Sequence, residues 1–242
     1  MEEIITKKTV IETVGKELET KLNSYGFKFV KSKQHLIRKY KGGFDRILLY
    51  TITGFPYSHQ ELGVQFMVRI DKVESIIEKF YNGRFRNMEF AKLFNTDFIN
   101  YECLKKEKDK SFYSASSLKC ELCKTSETDL DKELFVLHNK EDIQKVSSFL
   151  KDFIELRGLR FFEQSKDIEY LNEKVKSSIT KNVYGVDLKT IMNSLVLMKL
   201  CNDSDFDTLL PKYIEQMHPD NGFERDSYDS LNEIIQYLET KY

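Results

Sequence analysis

Cys120-x-x-Cys123 has the spacing at which two thiolates grip one side of a tetrahedral zinc ion or act as a redox pair. A structural zinc takes four ligands. The other donors nearest in sequence are Cys103 and His138, sixteen and fourteen intervening residues away, outside the spacing of paired zinc knuckles. Cys103, Cys120, Cys123 and His138 therefore make a candidate metal set that lacks the usual spacing, and no metal is expected. The redox reading needs the pair to open a helix after a buried strand, and here Lys119, Glu121 and Lys124 surround it. With Cys201 the four cysteines read as reduced thiols filling small apolar sites, and no cofactor is expected. His35, His59, His138 and His218 are dispersed, so no helical spacing sets two imidazoles on one face. His59 stands beside Gln60 and Glu61 after a proline-bearing loop, a place where catalytic residues occur, and reads as a solvated loop histidine. Gly42-Gly43 lacks the lysine and following helix of a phosphate cradle and reads as a hairpin turn. No catalytic residue set emerges.

The remaining chemistry is electrostatic. Lys28, Lys31, Lys33, Arg38, Lys39, Lys41 and Arg46 fall within nineteen residues, opposed only by Asp45 and interleaved with Phe27, Phe29, Tyr40 and Phe44. Lysines beside stacked aromatics are how sheet platforms hold single-stranded nucleic acid. Strand alternation predicts the blander arrangement, with lysines in water and phenylalanines turned inward.

These residues need elements to carry them. Ile11, Val14, Leu18, Leu22 and Tyr25 recur every three or four positions, Thr9-x-x-Glu12 offers a capping box, and Gly26 suits a left-handed helix end. Phe27 to Val30 and His35 to Lys41 read as short strands joined to a third, Phe44 to Thr53, by the Gly42-Gly43 turn. After the loop Gly54 to Ser58, Leu62 to Ile70 alternates with period two, and its Val64, Phe66, Val68 and Ile70 side must pack on a helix. Asp71, with Glu74 three residues later, reads as the cap of a second helix that Asn82-Gly83 stops. Between residues 84 and 138 the pattern is thinner, with candidate strands at Phe98 to Leu104, Ser117 to Lys124 and Leu134 to Leu137. From Asn139 on the chain is helical: one stripe through Ile143 and Phe153 to a stop at Gly158, Phe161-Phe162 as a core plug, then helices through Ile168 to Ile179, Leu188 to Cys201, Phe206 to Met217 and Tyr228 to Leu238. The expected fold is α+β: an N-terminal helix and an antiparallel sheet of about four to six strands flanked by helices in residues 1–160, followed by an all-helical region, 161–242, packed on it or forming a small subdomain.

Composition sets the class of protein. Of 242 residues 40% are hydrophobic and 32% charged, the balance of an ordinary globular chain. The start Met1-Glu2-Glu3 is acidic where a signal peptide needs positive charge, and the run Leu195 to Met198 is far too short to span a bilayer, so a cytoplasmic protein without membrane contact is expected. Residues 1–120 carry 22 Lys and Arg against 15 Asp and Glu, a balance of +7, whereas 121–242 carry 16 against 24, a balance of −8. That asymmetry suits an anionic partner for the front half, or attraction between the halves.

The order of helix, Gly26-Phe27-Lys28, strands bearing Arg38-Lys39-Tyr40, a proline loop and the strand Leu62 to Ile70 resembles uncharacterised bacterial families with a DUF4304-type domain. Leu159 to Glu163 followed by a helix from Ser165 is similar too. The resemblance implies an α+β fold, no established activity and no transferable site residues; some small bacterial proteins of this kind are thought to be immunity or defence-associated binding proteins. The expected function is non-enzymatic binding of a protein partner. Nucleic-acid binding through the basic front sheet is the alternative, and an enzyme with dispersed groups such as Glu61, Arg69 and Glu102 is a second.

Overall fold

The computed structural model describes residues 5–54, 59–81, 123–125, 133–181, 188–221 and 224–242. They divide into two compact units, one of residues 5–67 with those described between 123 and 162, the other of residues 68–81 with 163–242. The α+β class and the antiparallel sheet are as expected.

The first unit opens with α1, Lys7–Leu22, which buries Val10, Ile11, Val14, Leu18 and Leu22 along one stripe. Its cap is Thr6 rather than Thr9: Thr6 is extended, and its hydroxyl accepts the Thr9 backbone N–H at 3.2 Å, so the helix starts a turn-fraction earlier. Gly26 ends the following turn at φ 86°, as its lack of a Cβ allows. Strands β1 Lys28–Val30, β2 His35–Tyr40, β3 Gly43–Gly54, β4 His59–Ile70, β5 Cys123–Thr125 and β6 Glu133–Leu137 form one sheet in the order β1-β2-β3-β4-β6-β5. Leu36 lies opposite Ile47 and Phe29 opposite Leu36, so these side chains share the face toward α1, where the Phe29 ring fills the space a Cβ on Gly15 would need.

The second stripe is α3, Lys140–Phe153, opened by a reciprocal cap in which Asn139 Oδ1 accepts the Asp142 N–H at 3.0 Å and Asp142 Oδ2 accepts the Asn139 N–H at 3.3 Å. Gly158 does not stop this helix. The chain runs through a π turn, Ile154–Gly158, into α4, Leu159–Gln164, and the glycine instead admits Phe66, whose Cε1 would lie 2.9 Å from a Cβ there. Phe161 and Phe162 are core residues, with Phe162 against Phe27 and Phe66 at ring spacings of 5.5 and 5.9 Å.

In the second unit α2, Asp71–Ile77, is not capped by Asp71. Ile70 holds the cap position without a side-chain bond, and Asp71 and Glu74 lie in the first turn. Helices α5 Ile168–Lys181, α6 Leu188–Leu200, α7 Phe206–Gln216 and α8 Arg225–Lys241 match the four periodic stretches of the C-terminal sequence. Every residue from Ile191 to Met198 is buried, so α6 is the central helix, and α2, α5, α7 and α8 all contact it. Glu74 is fully buried, its Oε1 3.3 Å from Lys189 Nζ on α6. Among the described residues no helix is long and apolar enough to cross a membrane.

Candidate functional site

The seven basic residues of the front hairpins do not share one surface. Arg38 lies directly opposite Asp45 across β2 and β3, and its Nε and Nη2 both donate to Asp45 Oδ2, at 2.8 and 2.6 Å. Its guanidinium carbon is 5.0 Å from the Phe27 ring centroid and 5.9 Å from that of Phe162. Asp45 is completely buried, so this pair is part of the core under the helices. Arg46 alternates to the other face yet is only 3% exposed, donating from Nη2 to Met67 Sδ at 3.3 Å with its guanidinium 5.7 Å from the Phe44 ring centroid. That second face is therefore not simply wetted: His35 and Met67 are buried on it as well.

His35 feels this setting. Burial, reinforced by the charges of Arg46 and Lys33, pushes its imidazole down to about 4, so it is neutral near pH 7. Lys31, in the turn after β1, reaches back to Glu12 of α1 at 2.8 Å, and that hydrogen bond holds the Glu12 carboxyl below its usual range. What remains is a set of four lysines. Lys28, Lys33, Lys39 and Lys41 are exposed, and among the described residues none of them makes an ion pair. Lys28 lies in the edge strand β1 and Lys39 in β2, Lys33 in the turn between them and Lys41 in the turn from β2 to β3.

The candidate metal ligands come together only in part. Cys103 and Cys120 lie outside the described residues, and Cys123 falls in β5. His138 has a neighbour that periodicity along one element could not reveal: β4 and β6 pair with Gln60 opposite Leu137, which brings His59 and His138 together across the sheet at a ring spacing of 5.2 Å. His59 Nε2 also lies 3.3 Å from Glu61 Oε1. His59 is thus a strand residue and not a loop histidine. Among the described residues no group of three or more His, Cys, Asp or Glu side chains could hold a metal ion. Of the other groups considered for a dispersed active site, Arg69 donates to Asp71 at 2.5 Å and to Glu78 at 2.9 Å, and Glu102 lies outside the described residues.

In the second unit a cluster of polar contacts lies at the loop between α6 and α7. Lys176 Nζ on α5 reaches Asp203 at 2.8 Å, Asp205 at 2.9 Å and Glu173 at 3.0 Å, and the Asn172 amide donates to Asp203. Partial burial alone would raise the Asp203 carboxyl, but bonds from Lys176, the Asp205 backbone and Asn172 outweigh it and hold it low. Cys201 beside this loop has its thiol pushed up by burial and by Glu169, Asp203 and Asp167, the reverse of what a nucleophilic cysteine needs. The loop is a clamp of charges, satisfied within the chain. Compared with known proteins, the chain matches no protein-family model, no curated protein and no solved structure.

Proposed function

We propose that this chain is a non-enzymatic binding protein whose contact surface is the lysine-bearing β1–β2 edge, and that its partner is the acidic face of another protein. The observation that carries the reading is that Lys28, Lys33, Lys39 and Lys41 are each exposed and not neutralised by described neighbours. Unpaired lysines of one sign raise the rate of encounter with an acidic surface and set its orientation. Two of the four aromatic residues of the same segment weigh against a stacking platform for single strands, whereas Tyr40 and Phe44 are half-buried. Phe27 is fully buried and Phe29 is packed at Gly15 of α1. Base stacking needs rings open to solvent beside the lysines. Kinship with the DUF4304-type families belongs to the same proposal, supported by the order of helix, hairpin strands and proline loop.

The second reading, nucleic-acid binding, keeps the support of seven basic residues in nineteen. One experiment separates the two. Immobilised wild-type chain and the K28E/K33E/K39E/K41E variant are exposed to extract of the source organism at low and high salt, and each is titrated with a fluorescent single-stranded oligonucleotide. The expected result is that wild type alone retains an acidic protein, released by salt, while the oligonucleotide binds neither form. Tight oligonucleotide binding with a steep salt slope would transfer the lysines to the second reading. Equal retention by both forms would remove the lysine edge as the contact surface.

A further inference from the structure

We propose that Glu19 of α1 locks the open edge of the sheet, holding the outward backbone N–H of β1 so that a second copy of this chain cannot add a strand there. β1, Lys28–Val30, stands first in the strand order and pairs with β2. An edge strand with unmet backbone groups is a template for another chain.

Register fixes which groups face out. Tyr40 and Gly43 close the tight turn between β2 and β3 as a hydrogen-bonded pair. Such pairs alternate along the ladder, so Arg38 with Asp45 and Leu36 with Ile47 are hydrogen-bonded too, and Leu36 turns its N–H and C=O toward β3. Phe29 stands opposite Leu36 on the other side, so its own backbone groups turn away from β2, to the edge. The Phe29 N–H is met there by α1: it donates to Glu19 Oε1 at 2.9 Å. Phe27, on the same side of the chain, donates to the Leu22 carbonyl at 3.3 Å, where α1 ends. Both donors are taken by the preceding helix.

The grip on β1 has three points. Glu12, Gly15 and Glu19 recur at helical spacing and share one face of α1. Glu12 takes Lys31 Nζ at 2.8 Å, Gly15 leaves room for the Phe29 ring, and Glu19 takes the Phe29 backbone. Among the described residues Glu19 makes no ion pair, so its carboxylate serves the strand and not a lysine. A carboxylate only accepts, so it satisfies the N–H without offering a donor to an incoming strand. The lock does not depend on what the exposed lysines bind.

The test uses the full chain as wild type, Glu19→Ala and Glu19→Gln. Alanine is the best helix former and removes the acceptor, whereas glutamine keeps an acceptor oxygen in place. Amide hydrogen exchange followed by NMR at low protein concentration is expected to show the Phe29 N–H exchanging at least roughly tenfold faster in Glu19→Ala than in wild type, with Glu19→Gln nearer to wild type. Exchange at Val14 and Leu18, buried inside α1, is expected to stay the same. Sedimentation velocity over a concentration series is expected to show self-association in Glu19→Ala beyond that of wild type, relieved in Glu19→Gln. An unchanged Phe29 rate in Glu19→Ala, a matching rise at Val14 and Leu18, or equal self-association in all three forms would each overturn the lock.

Discussion

At the scale of single residues, burial decides what each charge is for. His35 illustrates the consequence for stability. Its folded value lies near 4, against an ordinary 6.5. Between these values the unfolded chain takes up a proton that the folded chain refuses, so stability is full above about pH 6.5 and declines as pH falls toward 4. A shift of this size is worth about 3 kcal/mol at its limit. Urea unfolding of wild type and His35→Gln at pH 7 and pH 4.5 measures it: wild type is expected to lose most of that amount from this group, and the variant to show a flatter acid limb. An identical acid limb in both proteins would mean that His35 is solvated. The exposed lysines a few residues away follow the opposite logic, since water screens them and they cost the fold little.

At the scale of elements, the β2–β3 rung shows why a basic side chain on a strand need not mark a surface. Arg38 and Asp45 are registered opposite each other, and the ion pair they form is roofed by two phenylalanine rings. Desolvating both charges costs several kcal/mol, which the short bonds of 2.6 and 2.8 Å offset only while both partners are present. Asp45→Ala is therefore expected to destabilise by about 3–5 kcal/mol, whereas Arg38→Met with Asp45→Leu is expected to lose much less, because no buried charge is stranded. Denaturant midpoints of Arg38→Met, Asp45→Leu and the double variant close the cycle. Additive losses would show that the two residues act independently.

At the scale of the whole molecule, the chain builds two compact units and contributes separated segments to each. The C-terminal helices take in α2 from about ninety residues earlier: Val73, Ile76 and Ile77 are buried, and Glu74 meets Lys189. Three such side chains are worth about 5–9 kcal/mol as an upper bound, comparable with the whole stability of a domain. A fragment of residues 163–242 alone is expected to keep helical circular dichroism but to unfold without a sharp transition. A second fragment with residues 68–81 linked in front is expected to regain cooperativity, and equal cooperativity in both would show that α2 is dispensable. The elements themselves were legible in the sequence because each repeats an apolar residue at its own period, 2 for β4 and 3.6 for α1, α3 and the C-terminal helices. Gly26 and Gly42 announced their turns through the left-handed backbone they adopt, at φ 86° and 96°. The stop read at Gly158 failed because glycine also serves close packing, here of Phe66. Sequence alone thus determined the elements, their order and the α+β class, since those follow from local periodicity and backbone preference. Tertiary structure decided that Arg38 and Arg46 turn inward while four lysines stay in water, and that His59 meets His138. Strand register and burial join residues far apart in the chain, and no local spacing records them.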